Sequence, residues 1–206
     1  KKIINKVNRY NPKQLQKLLV EVKGNRLATA VSLGAYLGLR REEICGLKWE
    51  DIDFDKAEWH IPAAHSKTGA PHIVYLSTQA VALFKELEPM AMGSEWVFVG
   101  QRKSKHLSNS TLNYALYPFL TGERFTVHDL RRTGSTMLNE VGINPNVVEK
   151  MLNHNTQTVA AIYNRATYKE QRIEASQWLG DKMASLLEDD VVIHTDFNKP
   201  ALQKRT

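Results

Sequence analysis

Residues 36–54 read YLGLRREEICGLKWEDIDF, and this stretch contains the change of pattern on which the fold depends. The run that leads into it, residues 27–39, is apolar on nearly every side, which predicts a buried helix. A second helical piece continues to Leu47. The pattern then alternates between apolar and polar residues at 52–54, as in a half-buried strand. The stretch therefore marks the point where a helical region passes into a sheet.

Two further short runs, residues 58–61 and 72–76, also alternate like strands, and turn-forming residues separate the three runs. Together they predict a small antiparallel sheet of three strands. Helical patterns occupy most of the remaining sequence, at residues 12–19, 77–87, 109–120, 128–141, 145–152, 156–165 and 183–187. Residues 90–105 are loop-like. The predicted fold class is therefore α+β, mainly helical with a small three-stranded antiparallel sheet.

The composition excludes several classes of protein. The chain has 206 residues, of which 42% are hydrophobic, so it can build a sizeable core. Its single cysteine excludes an intramolecular disulfide framework and any zinc site built from several cysteines. No apolar run approaches the roughly 20 residues of a membrane helix, and no signal-peptide pattern opens the chain. We expect a cytoplasmic protein without a membrane partner.

Positive charge is concentrated near the start of the chain. Residues 1–23 contain seven basic groups and one acid, while the rest of the chain is neutral overall. Such a segment can attract a polyanion, most commonly nucleic acid, although the charge alone favours a solvated basic linker. The chain begins at Lys1 rather than at methionine. We therefore expect residues 1–10 to be a linker from a missing N-terminal DNA-binding domain.

Two pairs of residues could form an anion-binding site. Arg40 and Glu43 are three positions apart on a predicted helix, so the carboxylate can orient the guanidinium group. His128 and Arg131 have the same spacing near the start of another helix, where anions are favoured. Taken alone, the first pair is more often a surface salt bridge, and the second is more often a capping histidine beside an exposed arginine.

Three further residues could take part in chemistry. His154 follows a short predicted helix, and Tyr163 comes nine residues later. Lys67 is at the tip of the predicted second hairpin, where mobile functional side chains are often placed. Individually they also fit ordinary structural roles, because a histidine can cap a helix, a tyrosine can pack on it and a hairpin lysine can simply face solvent.

A metal centre is not indicated. The seven histidines form no H-x-x-x-H or H-E-x-x-H pattern, and no acidic cluster accompanies them. Metal-dependent nucleases usually require convergent carboxylates. We therefore expect neither a metal ion nor another cofactor.

The ordered set of these residues resembles the catalytic domain of the tyrosine recombinases, the phage integrase family. Residues 36–54 are similar to the first-arginine box of that family, and HSKTGAPHIVYLS at 65–77 is similar to its lysine hairpin. FTVHDLRRTGSTMLNEVG at 125–142 and MLNHNTQTVAAIYNRA at 151–166 are similar to its last two boxes. The resemblance covers residues 11–180, which we interpret as the catalytic domain, and is greatest to integrases of prophages and genomic islands.

Three positions depart from the commonest family pattern, and they concern packing and turns. Leu37 stands where threonine often precedes the glycine, Asn153 replaces a frequent glycine before the histidine, and Gly134 replaces a frequent phenylalanine. The reactive set itself is complete.

The resemblance implies a role for each member of the set. Tyr163 would be the nucleophile that forms a 3′-phosphotyrosyl bond without metal, with Arg40 and Arg131 holding the phosphate. Lys67 would be the general acid, and His128 would exchange a proton with the tyrosine. The two remaining residues are His154, which would bind a phosphate oxygen, and Glu43, which would support the first arginine. How proton transfer is divided among the lysine and the two histidines stays open.

The resemblance also implies partners. Double-stranded DNA attachment sites would be the substrate, a homotetramer would assemble on DNA, and accessory DNA-bending proteins are candidate partners. The tail at residues 181–206 is a candidate for docking into a neighbouring protomer, through residues 183–193, although a frayed terminus fits equally well. The leading hypothesis is a site-specific recombinase of a prophage or genomic island. The alternatives are a type IB topoisomerase and a DNA-binding regulator without catalytic activity.

Overall fold

The computed structural model describes residues 11–21, 26–100, 105–116, 126–154 and 164–188, which contain eight α-helices and three strands. The helices are α1 (Pro12–Glu21), α2 (Arg26–Leu37), α3 (Arg41–Cys45), α4 (Thr78–Leu87), α5 (Asn109–Leu116), α6 (Val127–Glu140), α7 (Pro145–Met151) and α8 (Lys169–Glu188). The strands are β1 (Ile52–Asp53), β2 (Glu58–Ile61) and β3 (His72–Tyr75). The predicted mixture of helices with one small sheet is confirmed. Predictions for residues 1–10, for Tyr163 with most of the helix at 156–165, and for the tail beyond 188 lie outside the described residues.

Helix α2 is central to the helical part of the fold, because it packs against α4, α5, α6 and α8. Its residues Ala30, Leu33 and Tyr36 are at most 5% exposed, in agreement with the predicted buried helix. Gly38 follows α2 with a φ of +59°, a conformation that a residue without a Cβ atom adopts at little cost. The chain turns at this glycine, and Arg40 follows two residues later, immediately before α3.

The three strands form an antiparallel sheet in the order β1-β2-β3, as predicted. Trp59 in the central strand lies opposite Ile52 on one side and Val74 on the other. All three side chains are buried, so this part of the sheet belongs to the hydrophobic core. Residues 62–71 connect β2 to β3 and carry Lys67 between the two strands, where its side chain is exposed.

Helix α8 is longer than predicted and crosses a predicted boundary. The sequence pattern gave only a short helix at 183–187 and a domain boundary at residue 180, but one helix runs from Lys169 to Glu188. Met183 and Leu186 are each 1% exposed within the core of this chain. Docking of residues 183–193 into a neighbour stays a prediction, and residues 189–193 lie outside the described ranges. Of the helices in those ranges, none has the length and apolar character of a bilayer-spanning segment.

Candidate active site

Arg40 and Glu43 form the contact that their spacing predicts. The carboxylate oxygens of Glu43 accept from Nη1 of Arg40 and from its backbone N–H, each at 2.9 Å. The side chains are 13% and 4% exposed, so solvent screens the ion pair only weakly. The carboxylate of Glu43 therefore fixes both the guanidinium group and the backbone N–H of Arg40.

Arg131 reaches the same region from α6. Its Nη1 donates to the carbonyl oxygen of Gly38 at 2.8 Å, and its Nη2 donates to that of Leu152. The residue is 3% exposed. Burial, followed by the charge of Arg40, lowers the pKa of Arg131 to about 10, which still leaves it protonated at neutral pH. The two arginines that the sequence singled out are therefore brought together.

The last residue of α7 and the loop after it hold these groups in place through three consecutive carbonyl oxygens. Those of Leu152 and Asn153 accept from Arg131 and Arg40, the latter at 2.9 Å. The carbonyl of Met151 accepts from Nε2 of His72 at 3.3 Å. Carbonyl oxygens at a helix C-terminus carry partial negative charge and need partners, so cationic and N–H groups are favoured here. The same loop leads along the chain to Tyr163.

His72 is a contributor that the sequence analysis treated only as part of a strand. Burial, with the charge of Arg172 as the next cause, lowers the pKa of His72 from 6.5 to about 4. The ring is therefore neutral at pH 7 and donates one N–H to Met151 without adding a third positive charge beside the arginines. No local pattern could have indicated this role, because its partner is 79 positions away in sequence.

Lys67 and His128 line a common pocket of about 260 Å³. Its wall consists of Arg40, Arg41, Glu42, Lys67, Thr126 and His128. His128 is in the first turn of α6, whose preceding residue Thr126 donates to Asp129 at 2.8 Å through both its N–H and its hydroxyl. Burial, then the charges of Arg132 and Arg131, lower the pKa of His128. A neutral imidazole at pH 7 is able to accept a proton.

His154 lies at the far end of the loop after α7. Its Nδ1 is 2.9 Å from a carboxylate oxygen of Glu149, and its backbone N–H donates to the backbone carbonyl of Glu149 at 3.0 Å. A carboxylate on Nδ1 fixes the ring orientation and leaves Nε2 for another partner. The sequence analysis did not single out Glu149; its five-residue distance from the histidine was the available signal.

The arginines adjacent to the two site arginines in sequence each pair with a carboxylate, and Arg41 also lines the pocket of Lys67 and His128. Arg41 pairs with Glu42 at 3.0 Å, and Arg132 pairs with Asp129 at 2.9 Å. Tyr163 lies outside the described residues, so the structure does not test its position relative to the arginines. Over the described ranges, no three His, Cys, Asp or Glu side chains are grouped closely enough to hold a metal ion.

Solved structures of integrases share this fold. The integrase from mycobacterium phage Brujita superimposes with a TM-score of 0.68 at 20% sequence identity, covering 87% of this chain and 63% of that one. A lambda integrase tetramer bound to a Holliday junction superimposes with a TM-score of 0.57 at 20% identity, covering 74% and 48%. At this level of identity the similarity shows the fold, which is that of a tyrosine recombinase catalytic domain.

Sequence comparison extends the relationship. Prophage integrase IntA of Escherichia coli (strain K12) is 36% identical over 156 residues, which are 75% of this chain and 38% of IntA. The chain thus spans about two fifths of that relative. The family model described as phage integrase family matches residues 8–170, which include every proposed site residue. The resemblance drawn from the ordered motifs is confirmed, and the chain belongs to the phage integrase family.

Proposed function

We propose that this chain is the catalytic part of a site-specific DNA recombinase, an integrase of a prophage or genomic island. The observation that carries the proposal is the convergence of Arg40 and Arg131 on one loop beside the pocket of Lys67 and His128. Two guanidinium groups held this close repel each other, and a phosphodiester between them would relieve the repulsion. Membership of the phage integrase family supports DNA as the source of that phosphate.

In the proposed reaction the phenol oxygen of Tyr163 attacks the scissile phosphorus. A bond forms between that oxygen and phosphorus, and the bond from phosphorus to the 5′-oxygen breaks. His128 takes the proton of the phenol, and Lys67 gives a proton to the leaving 5′-oxygen. The products are a 3′-phosphotyrosyl link and a free 5′-hydroxyl. A phenol, with a pKa near 10, is a far better leaving group than an alkyl alcohol, so the step is readily reversed by that hydroxyl.

The other residues stabilise charge. Arg40 and Arg131 would bind the non-bridging oxygens, on which negative charge increases in the pentacoordinate transition state. Preorganised donors of this kind are each worth about 3–4 kcal/mol. In its doubly protonated form, His154 would donate from Nε2 to a phosphate oxygen while its Nδ1–H donates to Glu149. Glu43 would keep Arg40 oriented without contacting the substrate.

The proposed assembly is a homotetramer on two DNA duplexes, by analogy with the lambda integrase tetramer bound to a Holliday junction. Residues 1–10 would link this catalytic part to a DNA-binding domain, and accessory DNA-bending proteins remain candidate partners. The site of action would be the cytoplasm, at the bacterial nucleoid or on phage DNA.

The test is covalent capture on nicked suicide duplexes in EDTA, with candidate attachment sequences and a pooled random set. We expect a protein–DNA adduct that survives denaturation, forms without metal and is absent for Tyr163→Phe. DNA binding without any adduct, repeated with a longer chain that includes the preceding domain, would overturn the proposal in favour of a non-catalytic regulator. Relaxation of supercoiled DNA without strand exchange would instead favour the topoisomerase alternative.

A further inference from the structure

The backbone around Lys67 forms a tight turn. The N–H of Gly69 donates to the carbonyl of Ser66 at 3.0 Å, which puts Lys67 at the second position of a four-residue turn. The lysine side chain is exposed. Packing therefore contributes little to the position of its ammonium group, and the placement of the turn itself decides which part of the pocket the group reaches.

Asn153 holds this turn from across the site. Its Nδ2 donates to Oγ of Ser66 at 3.1 Å, and its Oδ1 accepts from Oγ1 of Thr68 at 3.4 Å. The two hydroxyl oxygens are 2.9 Å apart. Since each hydroxyl has one hydrogen, the third bond must run from Ser66 to Thr68. The three side chains form a closed ring in which each one donates once and accepts once, and such rings strengthen their own bonds.

The backbone of Asn153 makes asparagine a suitable residue for this ring. Its φ is +49°, in the left-handed region that glycine and asparagine enter most readily. The family pattern has a frequent glycine at this position, which would adopt this backbone conformation but would supply no side-chain amide. The asparagine side chain, in contrast, connects the loop after α7 to the two residues that flank Lys67.

The same residue is also bound to Arg40, whose Nη2 donates to its carbonyl oxygen at 2.9 Å. We propose that Asn153 is a positioning residue that fixes the turn of Lys67 relative to Arg40. This inference rests on the proposed function, in which the lysine protonates the leaving oxygen of a phosphate held by the arginine. Proton transfer requires hydrogen-bond distance, and a displacement of about 1 Å can cost about 100-fold in rate.

Asn153→Gly is the decisive variant, because it keeps both the left-handed backbone and the carbonyl that Arg40 uses. The adduct assay is run on the duplex sequences that the parent chain cleaves, with either oxygen or sulfur at the 5′-bridging position. A thiolate leaves without being protonated, so the sulfur substrate bypasses the general acid. Lys67→Ala shows how the rates on the oxygen and sulfur substrates change when that acid is lost. Thr68→Val opens the ring at its other side, and Thr111→Val is the matched control in a separate hydroxyl cluster with Ser108.

We expect Asn153→Gly to slow adduct formation on the oxygen substrate by about 10- to 100-fold and to return close to the parent rate on sulfur. Thr68→Val should show the same pattern more weakly, and Thr111→Val should match the parent on both substrates. Circular dichroism melting reports whether each variant is folded. If Asn153→Gly does not fold, Thr68→Val alone decides the outcome.

Two results would overturn the role of Asn153. One is parental rates for Asn153→Gly and Thr68→Val on both substrates, and the other is an equal loss on oxygen and sulfur. Either result, obtained while Lys67→Ala is rescued by sulfur, leaves the proposed function standing. By contrast, no adduct from the parent chain on either substrate overturns the cleavage activity itself, and the role of Asn153 with it.

Discussion

Arg131 illustrates how a buried charge can be kept available for an anion. Its two terminal nitrogens donate to the carbonyl oxygens of Gly38 and Leu152, so dipoles rather than a carboxylate compensate for its lost hydration. Arg40, in contrast, is paired with Glu43. The three ionised groups together retain one net positive charge, which a phosphodiester can neutralise.

At the same scale, His72 should make the stability of the fold depend on pH. Its pKa is about 4 in the folded chain against 6.5 for an unperturbed histidine, so between these values only the unfolded chain binds the proton. The contribution of this group to the free energy of unfolding is therefore fully present above pH 6.5, and it decreases as the pH falls toward 4. At pH 4.5 the loss is about 2 kcal/mol.

The variant His72→Gln tests this expectation, since its amide keeps a donor for Met151 but has no pKa in this range. Urea unfolding of both proteins at pH 7 and pH 4.5 should show a drop that is about 2 kcal/mol smaller for the variant. Equal drops would mean that the histidine does not titrate as the structure indicates.

At the scale of elements, α8 explains why a long helix was incompletely predicted. The buried residues of this helix recur every three or four positions, as an amphipathic helix requires, but Arg172, Ser176 and Gly180 are among them. Arg172 donates to the carbonyl of Ile73, and Ser176 donates to that of Tyr75 at 2.6 Å. These polar residues interrupt the apolar pattern of the helix in the sequence. Their burial is favourable because they bond to β3, and those partners are visible only in the tertiary structure.

Gly180 lies where α8 packs tightly against the start of α4. A Cβ atom at this position would be 2.6 Å from Cβ of Ser77 and nearer still to its hydroxyl, which caps α4 by accepting from Ala80. Helix propensity alone predicts that Gly180→Ala stabilises the chain by about 1 kcal/mol. Overpacking costs about 1–3 kcal/mol, and loss of the cap adds about 1 kcal/mol, so the net effect should be destabilisation.

Urea unfolding measures the sign of this change. The matched control is Glu174→Ala on the exposed side of the same helix, which should change the free energy of unfolding by no more than about 0.5 kcal/mol. A stabilised Gly180→Ala variant would show that α8 and α4 can separate without cost.

The strands and the site residues differ in how far the sequence predicts them. Alternation and turn residues are local signals, so the three strands and their order followed from residues 52–76. The arginines and Lys67 were identified through the ordered motifs of a known family. The supporting contacts of Asn153 and His72 were not predictable, because they join residues 79 to 113 positions apart whose proximity is decided by packing.

At the scale of the whole molecule, charge is divided between two concave surfaces. The pocket of about 260 Å³ is lined by the three basic residues Arg40, Arg41 and Lys67 and by one acid, Glu42. A larger concavity of about 890 Å³ lies around β1 and is lined by Asp51, Asp53 and Asp55, among others. A polyanion is attracted to the first surface and repelled by the second, so this asymmetry would orient DNA toward the proposed site before any specific contact forms.

The position of the C-terminal boundary gives a test at the same scale. A chain ending at residue 180 lacks the buried Met183 and Leu186, whereas a chain ending at residue 188 keeps them. Each side chain contributes about 1.5–3 kcal/mol, so the shorter chain should be less stable by about 3–6 kcal/mol. Urea midpoints of the two truncated chains measure the difference, and equal midpoints would contradict the burial of these residues.

The three carbonyl oxygens that support His72, Arg131 and Arg40 have a consequence for mutational robustness. Every amino acid, proline included, has a main-chain carbonyl, so no substitution at residues 151–153 can delete these acceptors. Genetic drift in this loop can change side chains without removing the groups that orient the arginines. Inactivating point mutations should therefore accumulate at the donors and at Glu43, while the acceptors persist even in descendants that have lost activity.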